Sequence, residues 1–209
     1  GPVMIGRLGF LTGIALRHLS KRRRQTLVAV SGVAVGVGFF LAVSAMMIGK
    51  RDQMLDVFEH PSSDGMVHDL YVFAWDYADT VMRPEMLSLA RLIIGEVQRF
   101  PEIGRAYQAS GPDHVLRGIM RYLSARREDG LLDFEDAELA AQDLWGLILS
   151  APRTQALYMP DSTPDRVTLA RYIHNGLRVF LRAYSTQPDA DLAQLTALVR
   201  TPTLSTGEK

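Results

Sequence analysis

Five histidines, at 18, 60, 68, 114 and 174, are the first places to look for acid–base or metal chemistry. None has the His-Glu-x-x-His spacing that puts two imidazoles on one helix face, and His60 with His68 is a weak pair for a metal. Cysteine is absent, which removes thiolate zinc, iron–sulfur clusters, disulfides and cysteine nucleophiles. The acids Asp133, Glu135, Asp136 and Glu138 fall where a helix begins, so they complement its dipole better than they form a proton-transferring pair. No Gly-x-Ser-x-Gly, Walker A or glycine-rich dinucleotide turn occurs. The sequence predicts no enzyme, no metal and no cofactor.

Binding chemistry is better represented. Phe73, Trp75, Tyr77, Met82, Met86, Tyr107, Met120 and Tyr122 combine flexible and amphipathic groups that suit a small apolar ligand, and they are the candidate ligand-binding residues. Core packing accounts for most of them equally well. Leu144, Trp145 and Ile148 with Ile173, Leu177 and Phe180 are the candidates for a dimer seam, because two strongly apolar helices expose more area than one small protomer covers.

The elements that must position these residues read as helices. Met82, Met86, Leu89, Ile93, Val97 and Phe100 form one helical face that Pro101 stops or redirects. A short helix at about 102–109 ends at Gly111-Pro112, and a stripe of Val115, Ile119, Tyr122 and Leu123 runs to Arg126, Arg127 and a terminating Gly130. Asp133 or Asp136 caps a helix to about Leu149, Thr163-Pro164-Asp165 opens another to Tyr184, and a weaker helix spans 190–200. Tyr71, Phe73, Trp75 and Tyr77 alternate with period 2, the one run that fits a short strand, but no partner run exists. The fold class is all-α.

Charge divides the chain. There are 23 basic and 23 acidic residues, but 8 basic and 3 acidic precede His60, which leaves +5 before it and −5 after it. Residues 26–49 hold no ionisable group and are flanked by Lys21, Arg22, Arg23 and Arg24 on one side and Lys50 and Arg51 on the other. At ~1.5 Å per residue such a run exceeds the ~30 Å of a bilayer core, so the sequence predicts one transmembrane-like helix with its N-terminal side in the cytoplasm. Upstream, Met4, Leu8, Leu11, Ala15 and Leu19 mark an amphipathic helix. The expected location is the inner membrane, or the cytoplasm if 26–49 is not inserted.

Two resemblances accompany this reading. The stretch that begins Ile14-Ala-Leu-Arg-His-Leu-Ser-Lys-Arg-Arg-Arg-Gln-Thr-Leu and continues through the apolar run resembles, over about 5–57, the start of ABC transporter permeases of the lipoprotein-releasing and macrolide-exporter type. A second set of blocks resembles the C-terminal regulatory domain of TetR-type repressors, near the AefR-like branch, over about 70–185. They are Arg83-Pro-Glu-Met-Leu-Ser-Leu-Ala-Arg-Leu-Ile-Ile-Gly-Glu-Val-Gln-Arg-Phe-Pro-Glu-Ile-Gly-Arg-Ala-Tyr, Gly111-Pro, Gly130-Leu-Leu, Ala137-Glu-Leu-Ala-Ala-Gln-Asp-Leu-Trp-Gly-Leu-Ile-Leu and Leu177-Arg-Val-Phe-Leu-Arg-Ala-Tyr. This likeness implies a ligand-binding helical bundle that dimerises through its last two long helices, here 136–150 and 164–184.

The expected organisation is a permease-like segment at 1–57, a linker at 58–69, the regulatory domain at 70–185, and a weak helix with a disordered tail at 186–209. Where the TetR family carries a helix-turn-helix this chain has its apolar run, and its later part is net negative, so direct DNA binding is not expected. Three functions follow. The first is a non-enzymatic, homodimeric sensor of a small apolar ligand; the second is a permease fragment or accessory subunit working with a separate ATPase. The third is a fusion of two unrelated segments without evolved joint function.

Overall fold

In the computed structural model the chain divides into two units, Gly1–Met46 and Met47–Lys209, and residues 55–200 of the second are described. The expected amphipathic helix, the apolar run 26–49 with its flanks Lys21, Arg22, Arg23, Arg24, Lys50 and Arg51, and the tail at 201–209 all lie outside the described residues. Among the described residues, no helix is long and apolar enough to cross a membrane.

A helical turn at 55–59 is followed by α1 (Met66–Val81), α2 (Pro84–Glu96), α3 (Pro101–Ser110), α4 (Pro112–Glu128), α5 (Ala137–Tyr158), α6 (Arg166–Tyr184) and α7 (Pro188–Arg200). Proline opens α2, α3 and α4, where its missing N–H costs nothing and its fixed φ favours the first turn. Pro101 therefore begins a helix, and α2 has already ended at Glu96. Asp136 caps α5 by accepting from the N–H groups of Glu138 at 2.8 Å and Leu139 at 3.1 Å, and Asp165 caps α6 through Thr168 N–H at 2.8 Å. The Thr163-Pro164-Asp165 signal thus places its cap two residues later than threonine. At the end of α4, Gly130 takes φ 76°, its N–H donates to Arg127 C=O at 2.9 Å, and Leu131 N–H donates to Arg126 C=O at 2.9 Å. That is the glycine-terminated stop the sequence predicts.

Two expectations change. The period-2 run at 71–77 lies inside α1, because Tyr71 with Trp75 and Phe73 with Tyr77 are also i,i+4 pairs. Phe73 and Tyr77 turn into the core, while Tyr71 and Trp75 stay half-buried. The expected end of α5 near 149 is overrun through Pro152 to Tyr158, since buried Leu149, Pro152 and Ala156 continue the packed face beyond the proline.

The core is one cluster in which Leu70, Phe73, Ile119, Leu144, Ile173 and Phe180 are sealed from solvent. α5 and α6 pack closest: a Cβ on Gly176 would stand 2.4 Å from the Leu147 carbonyl oxygen. The loop before α5 is tied to the end of α6 by Asp133 N–H to Tyr184 C=O at 2.8 Å and Thr186 N–H to Leu131 C=O at 3.1 Å. The core also extends past the 70–185 interval. Leu55 and Phe58, from the turn that overlaps the expected linker, are buried, and Leu195 seats α7 against the bundle.

Candidate functional site

An open cleft of about 430 Å³ lies between α1, α3, α4 and α5, with Tyr77, Leu116, Trp145, Leu149 and Arg153 among its walls and Gln108, Gln142 and Thr154 at polar positions. Tyr77 and Trp145 meet edge to face at 5.9 Å between ring centroids. Burial pushes the Tyr77 phenol up to about 12; hydrogen bonding from Trp145 and the charge of Arg153 oppose this, and Tyr107 adds to it. The cleft therefore offers an aromatic wall with neutral hydroxyl, amide and hydroxyl partners and one cation. It suits a small, largely apolar molecule with a few polar atoms.

The eight candidate ligand residues do not converge. Tyr77 alone lines this cleft, joined by Trp145, which the sequence assigned to a dimer seam. Phe73 and Met82 are core residues, Met86, Tyr107 and Met120 are half-buried, and Trp75 packs on the outer side beneath Arg166, whose guanidinium lies 4.3 Å from the ring centroid. Tyr122 lines a separate pocket with Phe58. Spacing along one helix could not reveal Gln108, Leu116 or Arg153, because they come together only when three helices pack.

The seam candidates are corrected in the same way. Leu144, Ile148, Ile173, Leu177 and Phe180 each have 0% exposure within one protomer, and Trp145 is half-buried beside the cleft. The five sealed side chains cannot meet a partner without opening the core, whereas Trp145 keeps part of its surface exposed. The most apolar stripe of an amphipathic helix goes to its own domain first. Among the exposed positions of these helices, Leu139, Gly146 and Ser150 on α5 and Tyr172, Val179 and Ala183 on α6 share a spacing of seven then four, and Gly146 and Ser150 also line the cleft; Tyr158 and Val167 are exposed as well.

A polar cluster that spacing did not single out lies at the start of α1. The buried Asp69 accepts from Ser62 Oγ at 2.8 Å, Ser62 N–H at 3.1 Å and Tyr122 Oη at 2.9 Å, and Ser62 Oγ stands 3.2 Å from His68 Nδ1. Serine, histidine and aspartate meet here, but in the wrong order for nucleophilic catalysis. The acid holds the serine proton directly instead of orienting the imidazole, whose Nδ1 is 3.9 Å from Asp69. Burial, with the hydrogen bond to Asp69, pushes the Tyr122 phenol up. The cluster locks the 60–65 turn to α1 and α4. Among the described residues no group of three or more acidic or histidine side chains is placed to hold a metal.

Among the described residues, the fold is a helical bundle with an open cleft between four of its helices. Residues 68–186 match the family model described as AefR-like transcriptional repressor, C-terminal domain, and the chain belongs to that TetR family. A TetR-family transcriptional regulator from Mesorhizobium loti is similar at 24% identity and TM-score 0.63, over 70% of this chain and 72% of that one. The flavonoid-responsive regulator FrrA is similar at 23% identity and TM-score 0.58, over 69% and 74%. A TetR regulator from Agrobacterium tumefaciens follows at 27% identity and TM-score 0.51, over 67% and 73%. Among curated proteins no match was found. Regulators of this family are transcription factors and not enzymes, and they are typically homodimers that bind small molecules. The permease likeness of residues 5–57 has no support in these comparisons.

Proposed function

We propose that this chain is the sensing and dimerising part of a ligand-responsive transcriptional regulator, taking a small apolar ligand in the Tyr77–Trp145 cleft and pairing through α5 and α6. The observation that carries this reading is the position of the cleft beside the matched, uncovered stripes of α5 and α6, where Leu139 is 57%, Tyr172 39% and Val179 37% exposed. A four-helix seam would cover these side chains. Occupancy of the cleft would then be felt along α5, which contributes to both features. Flavonoids, the class named for one fold relative, are the first ligands to try against the aromatic wall.

Sedimentation of the full chain tests the pairing. The wild type is expected as a dimer at about 10–50 μM, and Leu139→Glu with Val179→Glu as a folded monomer, because each buried carboxylate is costly without a partner. A wild-type monomer, or a variant that still dimerises, would reject the seam. Ligand entry is read by Trp145 fluorescence in a Trp75→Phe background, where saturable quenching by a flavonoid is expected. Direct DNA binding forms no part of the proposal, since 20 acidic against 15 basic residues from His60 on repel a phosphate backbone. Sequence-selective retardation of a duplex at physiological salt would overturn that exclusion.

A membrane-associated form of the same module is the second reading, and the 24 residues 26–49 without an ionisable group favour it. Recovery of the full chain in the detergent-free supernatant would dismiss it.

A further inference from the structure

We propose that the molecule taken by the Tyr77–Trp145 cleft is an amphipathic monoanion, a flat ring joined by a few carbons to a carboxylate, with Arg153 as its counter-charge. The inference deepens the reading of that cleft as a ligand site and rests on it. It adds a charge and a direction to the bound molecule.

Two parallel rows of α5 face the cleft. Trp145, Leu149 and Arg153 follow one another at intervals of four residues, and Gly146, Ser150 and Thr154 run beside them at the same interval. Positions four apart share a helix face about 6 Å from each other along the axis. The first row therefore grades from aromatic to aliphatic to cationic within about 12 Å. The second row is small, which leaves room for a molecule laid along the helix. Trp145 and Arg153 are half-buried, and Leu149 closes the floor between them. The Trp145 N–H is committed to the Tyr77 hydroxyl, and the two rings touch edge to face at 5.9 Å between centroids. They form one continuous wall, against which a ligand ring packs from the open side.

The choice of an anion rests on Arg153. It is the one charged residue in the lining, which contains no acid. Burial holds the Tyr77 phenol at about 12, so it stays neutral and Arg153 alone sets the sign of the walls. Among the described residues Arg126 and Arg166 pair with Asp129 and Asp79, and Arg91 and Arg178 hydrogen-bond to neighbouring groups, while Arg153 does neither. A guanidinium fork left open in this way matches a carboxylate through two parallel charge-assisted bonds. Two acids lie just beyond the lining, where Glu138 accepts from Gln142 Nε2 at 3.2 Å and Asp113 from Gln108 Nε2 at 2.7 Å. Glu138 precedes Arg153 by about 22 Å along α5, so repulsion at that end and attraction at the other fix the ligand's direction. Helical side chains lean toward the N-terminus, which brings the guanidinium back over the turn of Leu149. The fitting distance from ring to carboxylate is then roughly one helical turn, about 6 Å.

4-Phenylbutyrate has that reach and is the probe. It is titrated into the full chain by calorimetry and saturation-transfer NMR, beside 4-phenyl-1-butanol and 4-phenylbutylamine, which keep the ring and chain but carry no charge or the opposite one. The acid is expected to bind at least about fivefold more tightly than the alcohol, and the amine most weakly. Arg153→Gln, a change between good helix formers, should erase the acid's advantage and leave the alcohol within about twofold. Arg153→Glu should reverse the order so that the amine binds better than the acid, a gain that an unfolded chain cannot give. Leu116→Trp, on the α4 wall, should abolish binding of the acid with helical circular dichroism retained. Equal affinity of acid and alcohol, or an advantage of the acid that survives Arg153→Gln, overturns the proposal while the cleft stands as a site for uncharged apolar molecules. Acid binding that ignores Leu116→Trp places the probe elsewhere and overturns it too. Failure of all three compounds to saturate by about 10 mM overturns both this inference and the cleft reading beneath it.

Discussion

Asp69 is sealed from solvent, and three donors hold its carboxylate: Ser62 N–H, Ser62 Oγ and Tyr122 Oη. Hydrogen bonds to a charged group contribute about 1.5–3 kcal/mol, so Tyr122→Phe should lower stability by that amount in urea unfolding with an unchanged m-value. An unchanged midpoint would mean that water replaces the phenol. Tyr77 gives a second test, in alkali. Its folded value of about 12 lies above the ordinary 10, so its contribution is complete below pH 10 and is lost as pH rises toward 12, where the unfolded chain can ionise and the folded one resists. Alkaline unfolding should therefore steepen above pH 10, and Tyr77→Phe should flatten that slope. At this scale the sequence supplied the residue types but not their partners. Tyr77 and Tyr122 look alike in a list of aromatics, yet one walls an open cleft and the other anchors a buried acid.

The helices are where sequence and structure agree most closely. Capping by Asp136 and the left-handed Gly130 are local devices, acting within a few residues, and the sequence shows both, whereas the cap at Asp165 instead of Thr163 and the helix starts at Pro84 and Pro101 are seen only in the structure. Continuation of α5 through Pro152 is not local, since burial of Leu149 and Ala156 decides it. Gly176 marks the contact that fixes the α5–α6 pair. The nearest atom to an added Cβ is backbone, the Leu147 oxygen at 2.4 Å, which cannot swing away. Gly176→Ala should cost about 1–3 kcal/mol or more by forcing the helices apart. Gly95 in α2 has nothing within 4 Å of an added Cβ, so Gly95→Ala should stabilise by about 0.5–1 kcal/mol through helix propensity. Thermal unfolding of the two variants should move in opposite directions. A stabilised Gly176→Ala would disprove the tight crossing.

For the whole molecule, the described domain is larger than its most recognisable blocks. Leu55 and Phe58 precede the family match at 68–186, and Leu195 follows it, yet all three are buried in the same core. Removing the two N-terminal side chains together, Leu55→Ala with Phe58→Ala, should cost about 5 kcal/mol or more, seen as a collapse of the urea midpoint. A loss below about 1 kcal/mol would show the 55–59 turn to be a loose attachment. The sequence by itself determined that the domain is helical, because helix periodicity and caps are properties of neighbouring residues, and its ordered blocks carried the resemblance to the TetR regulatory domain. Only the tertiary structure decided which apolar stripe fills the protomer and which stays open. Leu144, Ile148, Ile173, Leu177 and Phe180 outrank Leu139, Tyr172 and Val179 as oily faces, and burial takes the oiliest surface first. The same holds for the cleft and the second pocket, whose walls are brought together from distant segments by packing that no periodicity records.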